Sequence, residues 1–234
     1  MPLEAVVFDA AGTLTRPLLE LFLRQLDGAP FDVRAAGMFL HGAVQQEGDG
    51  TSLPHRCERG EVGLDELLAW VDGQVPGASA MIDPASPHFL LGAIEWSEPI
   101  GAVLADARAA GLATAIISNQ FAGWSDSFGV AVSGLGADEV VISCDVGLRK
   151  PDPAIYRLAC RRLGVEPAQA LFLDDAAAMA DGARAAGLTA LHVTDHEVAA
   201  AEARRLLGLG PAVPQAGEEP DRAATISRQV GHTG

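Results

Sequence analysis

Apolar residues in this chain follow two rhythms. Short unbroken runs occur at Val6-Val7-Phe8, Ala113–Ile117, Val140–Ser143, Leu171–Leu173 and Thr189–Val193. Each has the length and β-branched or aromatic character of a strand buried on both faces. Between them, longer segments predict helices over Ile100–Ala110, Pro153–Leu163, Ala176–Ala186 and Glu197–Leu207. Proline in the first turn of the second of these, and glycine directly after the end of each of the four, mark starts and stops. Strands separated by helix-length segments imply an α/β fold, a Rossmann-like parallel sheet with helices on both faces.

Residues from about Pro17 to Trp96 break the alternation. They read as helices at Leu18–Leu26, Val33–Gln46, Leu64–Val71 and Phe89–Glu95, separated by loops such as Asp49-Gly50-Thr51-Ser52-Leu53-Pro54. The pattern predicts a core domain of residues 1–16 and 97–207, with a helical domain of residues 17–96 inserted after the first strand. Residues 208–234 are rich in Gly, Pro and polar side chains without periodicity, and are expected to be a disordered tail.

Composition narrows the function. Hydrophobic residues make up 49% of the 234 positions, enough for a substantial core. A formal net charge of −15 argues against nucleic acid and anionic membrane surfaces as partners. A small anionic substrate stays compatible, because a site can be locally positive. Cys57, Cys144 and Cys160 are far apart and form no C-x-x-C pair, which suits a reducing compartment without disulfides. The N-terminus reads as a strand rather than a signal segment, and no apolar run is long enough to span a bilayer. A cytoplasmic protein, monomer or homodimer, is expected.

Polar residues stand where strands end: Asp9, Ser118-Asn119 and Asp174-Asp175. In open α/β sheets the ligand crevice lies at those carboxyl ends. A buried carboxylate is costly without a partner or a use. Lys150, the only lysine, lies in the turn-rich run Gly147-Leu148-Arg149-Lys150-Pro151-Asp152-Pro153. Taken singly, each of these has a plainer reading: Asp as a helix cap, Ser-Asn as a turn, Lys as a solvated loop residue.

In order along the chain, however, these pieces resemble the motifs of the haloacid dehalogenase (HAD) superfamily. The run Val6-Val7-Phe8-Asp9-Ala10-Ala11-Gly12-Thr13 resembles its first motif, D-x-D-x-T. Ile116-Ile117-Ser118-Asn119 resembles the second, Arg149-Lys150-Pro151-Asp152-Pro153 the third, and Leu171-Phe172-Leu173-Asp174-Asp175 the last. The insertion resembles the family's helical cap, as does its segment Glu58-Arg59-Gly60-Glu61-Val62. The resemblance implies a Mg²⁺-dependent phosphohydrolase acting on a small phosphorylated metabolite. Asp9 would be the nucleophile that forms an aspartyl-phosphate, with Ser118 and Lys150 also catalytic. Asp9, the carbonyl of Ala11, Asp175 and Asp174 would supply the metal site. Gly12 would allow a close approach of backbone to ligand, and Thr13 would pin the loop and, with Asn119, meet the substrate. Cap residues His41 and Arg59 are candidates for substrate contact, with His55 and Arg56 alongside.

One departure redirects these expectations. The family's second aspartate, its general acid/base, is Ala11 here, which cannot move a proton. General acid–base catalysis is typically worth about 10²–10⁴ in rate. A cap residue such as Glu58 or His41 could supply the proton. Otherwise two alternatives open: a catalytically impaired HAD-like protein that binds a phosphorylated ligand or a partner, or a 2-haloacid dehalogenase. Against the dehalogenase, Asp174-Asp175 would crowd negative charge beside Asp9 in a site without metal. The pattern D-x-A-G-T also matches phosphonoacetaldehyde hydrolase. That reaction needs a cap lysine, and the cap here has none.

Overall fold

The computed structural model describes residues 1–17, 32, 35, 38, 42, 51–83, 85 and 94–210. Apart from isolated positions, the helices expected at Leu18–Leu26 and Val33–Gln46, most of Phe89–Glu95 and the tail beyond Gly210 lie outside these residues. So does His41.

The described elements are, in chain order, β1 (Ala5–Asp9), α1 (Leu53–Glu58), α2 (Leu64–Gln74), α3 (Glu98–Ala109), β2 (Ala113–Ser118), α4 (Ser125–Ser133), β3 (Glu139–Ile142), α5 (Ser143–Val146), α6 (Pro153–Leu163), β4 (Ala170–Asp174), α7 (Ala177–Ala186), β5 (Thr189–His192) and α8 (His196–Leu207). The five strands form one parallel sheet in the order β3-β2-β1-β4-β5. The chain thus builds outward from β1 to one edge and then returns to the other side. Its central strand lies at the switch point where a ligand crevice opens.

The period-two geometry of β1 explains its unbroken apolar run. Val6 and Phe8 enter the core on one face, with α3 and α8. Ala5 and Val7 enter the core on the other, with α6 and α7. Register then levels the polar strand ends. Asp9 pairs with Ile117, so Ser118 stands one residue beyond it, and Phe8 pairs with Leu173, so Asp174 stands level with Asp9.

Residues 51–83 build a third apolar cluster. Cys57, Val62, Leu67, Val71, Ala78 and Ile82 close over Phe121 and Trp124 from the loop after β2. Trp124 donates its indole N–H to the Ile82 carbonyl at 2.5 Å, and the Ala122 amide donates to the Cys57 carbonyl at 3.2 Å. The helical segment thus rests directly on a loop that leaves the sheet's carboxyl edge. Among the described residues, no helix is long and apolar enough to cross a membrane.

Two local expectations are corrected. Leu53-Pro54 opens α1 rather than belonging to a loop, since proline is permitted in a helix's first turn. The strand expected at Val140–Ser143 ends at Ile142, and Ser143 begins α5.

Gly182 lies inside α7, where alanine would normally be favoured by about 1 kcal/mol. A Cβ there would stand 2.5 Å from the Pro151 carbonyl oxygen and 2.6 Å from the Pro151 Cβ. Because that backbone adjoins Lys150, the contact cannot relax cheaply. Gly182→Ala is therefore expected to destabilise by roughly 1–3 kcal/mol, the cost of overpacking a tight core. Denaturant unfolding of the two proteins checks it: a gain in stability would show that helix propensity wins.

Candidate active site

Asp9 ends β1 and is 6% exposed; Lys150, from the loop between α5 and α6, is 2% exposed. The Lys150 ammonium donates to Asp9 Oδ1 at 2.5 Å and to Asp174 Oδ2 at 2.7 Å. Asn119 holds the lysine's backbone from both sides. Its Oδ1 accepts from the Lys150 amide at 2.9 Å, and its Nδ2 donates to the Lys150 carbonyl at 3.1 Å. Both ends of the Asn119 side chain are thus committed to Lys150, which makes it a positioning group for the lysine.

Asp174 is also fully engaged. Its second oxygen accepts from the Ala176 amide at 2.9 Å, and its own carbonyl accepts from Val193 at 2.8 Å. Asp175 is exposed along one side and closes on the loop after β1. A Cβ at Gly12 would stand 2.2 Å from Asp175 Oδ2, and Gly12 has φ +94°. Only glycine meets both conditions. Asp9, Asp174 and Asp175 each offer a carboxylate oxygen, and these atoms lie within 4.8 Å of one another.

The electrostatics are lopsided. Burial pushes the Asp9 pKa up, Lys150 opposes this, and Asp174 and Asp175 add to the rise. Burial likewise raises Asp175, with help from the Asp174 charge, to about 6. For Lys150 burial acts downward, but Asp174 and Asp9 outweigh it, and the ammonium is held strongly protonated.

Ser118 is buried at the end of β2, and its hydroxyl oxygen accepts from Gln120 Nε2 at 2.8 Å. That leaves the hydroxyl proton to be donated elsewhere. Gln120 is in turn tied to Ser143, whose hydroxyl accepts from the Gln120 amide at 2.9 Å. The loop Ala10–Leu14 is pinned by Thr15 rather than Thr13. Thr15 Oγ1 accepts from Gly12 N at 3.0 Å and donates to the Arg16 carbonyl at 2.9 Å. The Thr13 hydroxyl is buried with no hydrogen-bond partner, which corrects the expectation that it fastens the loop. His196, at the start of α8, faces the Gly12 carbonyl with Nε2 at 3.0 Å and Ser97 Oγ with Nδ1 at 2.6 Å. Because a carbonyl oxygen only accepts, Nε2 donates its proton to Gly12.

The structure therefore brings together Asp9, Ser118, Asn119, Lys150, Asp174 and Asp175, with Ala11 in the loop between Asp9 and Gly12. Arg59 instead pairs with Glu61 at 2.5 Å on the exposed side of its segment. Gln120, Ser143, Thr15, Ser97 and His196 went unrecognised in the sequence. Gln120 and Thr15 directly flank the recognised motifs, which was the available signal.

A profile of haloacid dehalogenase-like hydrolases matches residues 3–187. Acyl-CoA dehydrogenase family member 10 of Mus musculus is 38% identical over 101 residues, 43% of this chain and 9% of that protein. Phosphatase MT3486 of Mycobacterium tuberculosis is 27% identical over 197 residues, 81% of this chain and 87% of that protein. A crystal structure of a dehalogenase shares the fold with a TM-score of 0.64 at 22% identity, over 89% of this chain and 98% of that one. Some curated relatives are much longer: the chain spans 9%, 16% and 39% of three of them.

The raised Asp175 pKa has a consequence for stability. Its folded value, about 6, exceeds its ordinary value of 3.8, so the charged form destabilises the fold above pH 6. That penalty is relieved as pH falls from about 6 toward 3.8. In chelator-treated protein, Asp175→Asn should therefore raise Tm at pH 7.5, and the gain should shrink on acidification through pH 6. Thermal unfolding across that range reads it; no gain at pH 7.5, or one that grows in acid, contradicts the assignment.

Proposed function

This chain belongs to the haloacid dehalogenase-like hydrolase family, and from that premise we propose that it is a Mg²⁺-dependent phosphohydrolase of small phosphorylated molecules, acting through an aspartyl-phosphate on Asp9. The observation that carries this reading is the charge imbalance at the sheet's carboxyl edge. Three clustered carboxylates share the single Lys150 ammonium, so full ionisation of the cluster calls for a further cation. Asp9 Oδ2 is also buried with no hydrogen-bond partner. A hard divalent cation with oxygen ligands fits that donor set. Asp9, Asp174 and Asp175, with the Ala11 carbonyl, would hold it. Bound there, it would supply neutralisation of the phosphoryl oxygens. The similarity to Phosphatase MT3486 points the same way.

The chain's own residues account for the remaining chemistry. The Asp9 carboxylate attacks phosphorus; the new O–P bond forms as the bond to the leaving group breaks. Lys150 opposes the burial that favours the neutral form of Asp9. It would also offset the charge that accumulates on the transferred group. Ser118 donates its remaining proton to a phosphoryl oxygen, its acceptor side being occupied by Gln120. Water then hydrolyses the acyl phosphate and restores Asp9.

Ala11 favours a second reading, a catalytically impaired protein that binds phosphorylated ligands. Without an acid at position 11 the departing oxygen must leave unassisted, so turnover should depend steeply on the leaving group. Acyl and aryl phosphates should react faster than alkyl phosphates. Ala11→Asp should raise alkyl-phosphate turnover most, by up to about 10²–10⁴ if the new carboxyl is well placed. Asp9→Asn should abolish turnover. The test measures phosphate release across such a series with and without Mg²⁺, beside halide release from 2-haloacids. Mg²⁺-independent halide release would replace the phosphatase with a dehalogenase. No product from even the most activated ester would leave the binding protein.

A further inference from the structure

The chain's one lysine is held at its ammonium by Asp9 and Asp174 and at its backbone by Asn119. A third hold reaches it from outside the sheet's loops. Arg149, the residue before Lys150, donates from Nε to Glu58 Oε2 at 2.6 Å. Glu58 ends α1, in the segment that covers the carboxyl edge, 91 residues away in sequence. Both side chains are more than nine-tenths buried. Arg149 Nη2 is buried without a partner, so Glu58 is the acceptor that compensates this guanidinium.

Two further contacts seat α1 on the same loops. The Cys57 carbonyl accepts from Ala122 in the loop after β2. Gly60, two residues past the end of α1 and at φ +70°, lies so close to α5 that a Cβ would stand 2.6 Å from the Cys144 carbonyl oxygen. The α1 segment therefore touches the loop that follows Ser118 and the short helix α5 that precedes the Lys150 loop.

We propose that the Glu58–Arg149 ion pair is a positioning device that makes the placement of Lys150 depend on the seating of α1. Two adjacent cations enter a buried site. With Glu58 holding Arg149, only Lys150 is directed at the carboxylates. Without Glu58, the guanidinium is a buried charge lacking its partner, and the loop that carries Lys150 loses its fastening to α1. The fastening itself, and not the bare charge, sets the position of this loop, so Lys150 shifts whichever member of the pair is removed. The inference deepens the phosphohydrolase reading, since it concerns that site's cation, but its primary test needs no turnover.

Lys150 being the sole lysine, ε-¹³C-lysine labelling gives a single side-chain resonance that needs no assignment. Glu58→Gln, which keeps an acceptor, should move that resonance and speed ammonium exchange; Glu58→Ala and Arg149→Met should do so more. Asp106→Asn, which breaks the distant Arg204–Asp106 pair, should leave it in place. The double variant Glu58→Leu/Arg149→Met removes both charges and keeps the fold if a single variant does not. Its lysine resonance should stay displaced although its stability returns. With an aryl phosphate, kcat should fall roughly ten-fold or more while KM changes little, as expected for lost transition-state placement. A resonance unmoved in Glu58→Ala and Arg149→Met, or one restored in the double variant, would make the pair purely structural and overturn the proposal. If the wild type hydrolyses no ester, the phosphohydrolase reading fails while the resonance still decides this one.

Discussion

The arrangement depends on one buried ammonium shared by two carboxylates. Removing Lys150 from water is costly, and only close, well-directed acceptors compensate. Asp9 and Asp174 meet that demand because the parallel register sets the ends of β1 and β4 at the same level. Asn119 can reach the Lys150 backbone because β2 ends one residue beyond Asp9 on the other side. The sheet order is thus more than scaffolding: it decides which charges meet. A buried ion pair contributes little net stability compared with an apolar core, but it admits few geometries. Here those few geometries are the site.

The same constraint explains the glycines that matter. Lys150 is held inward only if the chain after it fits beneath α7, and Gly182 leaves that room against Pro151. Asp175 can join Asp9 and Asp174 only if the loop after β1 passes close to it, and Gly12 permits that approach. Backbone clearance is therefore set at the two places where side-chain charge converges.

Much of this was legible in the sequence, for a physical reason. A strand buried on both faces must be apolar throughout, so Asp9 and Asp174 announce themselves by ending such runs. The lysine was visible as the sole one in the chain. Legibility failed where partners are distant in sequence or where one residue type can fill two roles. Thr13 and Thr15 are equally suited to pin a loop, and only the fold shows that Thr15 does so. His196 acts on Gly12 from 184 residues away, and no local pattern encodes that. α4 went unread because Ser125–Ser133 carries serines and a central glycine that weaken its helical pattern. Glu58 reads as a cap residue that could supply a proton and Arg149 as part of the lysine motif, and only packing shows that the two pair with each other.

Ala11 is where fold and chemistry separate. Its backbone, at φ −84° and ψ 111°, lies in a region open to most residues, whereas the next residue requires glycine. The loop is fixed by Thr15 and His196 through Gly12, and nothing in that fastening uses the side chain at position 11. An aspartate there would add a fourth carboxylate to a site that already holds three against one ammonium. Alanine removes that repulsion and, with it, a proton donor. The donor is worth about 10²–10⁴ in rate, or roughly 3–5 kcal/mol of barrier. The geometry that would bind a phosphoryl group and present Asp9 to it does not depend on which residue stands there. On the proposed phosphohydrolase reading, position 11 decides how good the leaving group must be, so the difference between an enzyme and a binding protein on this scaffold is then a difference in barrier height rather than in fold.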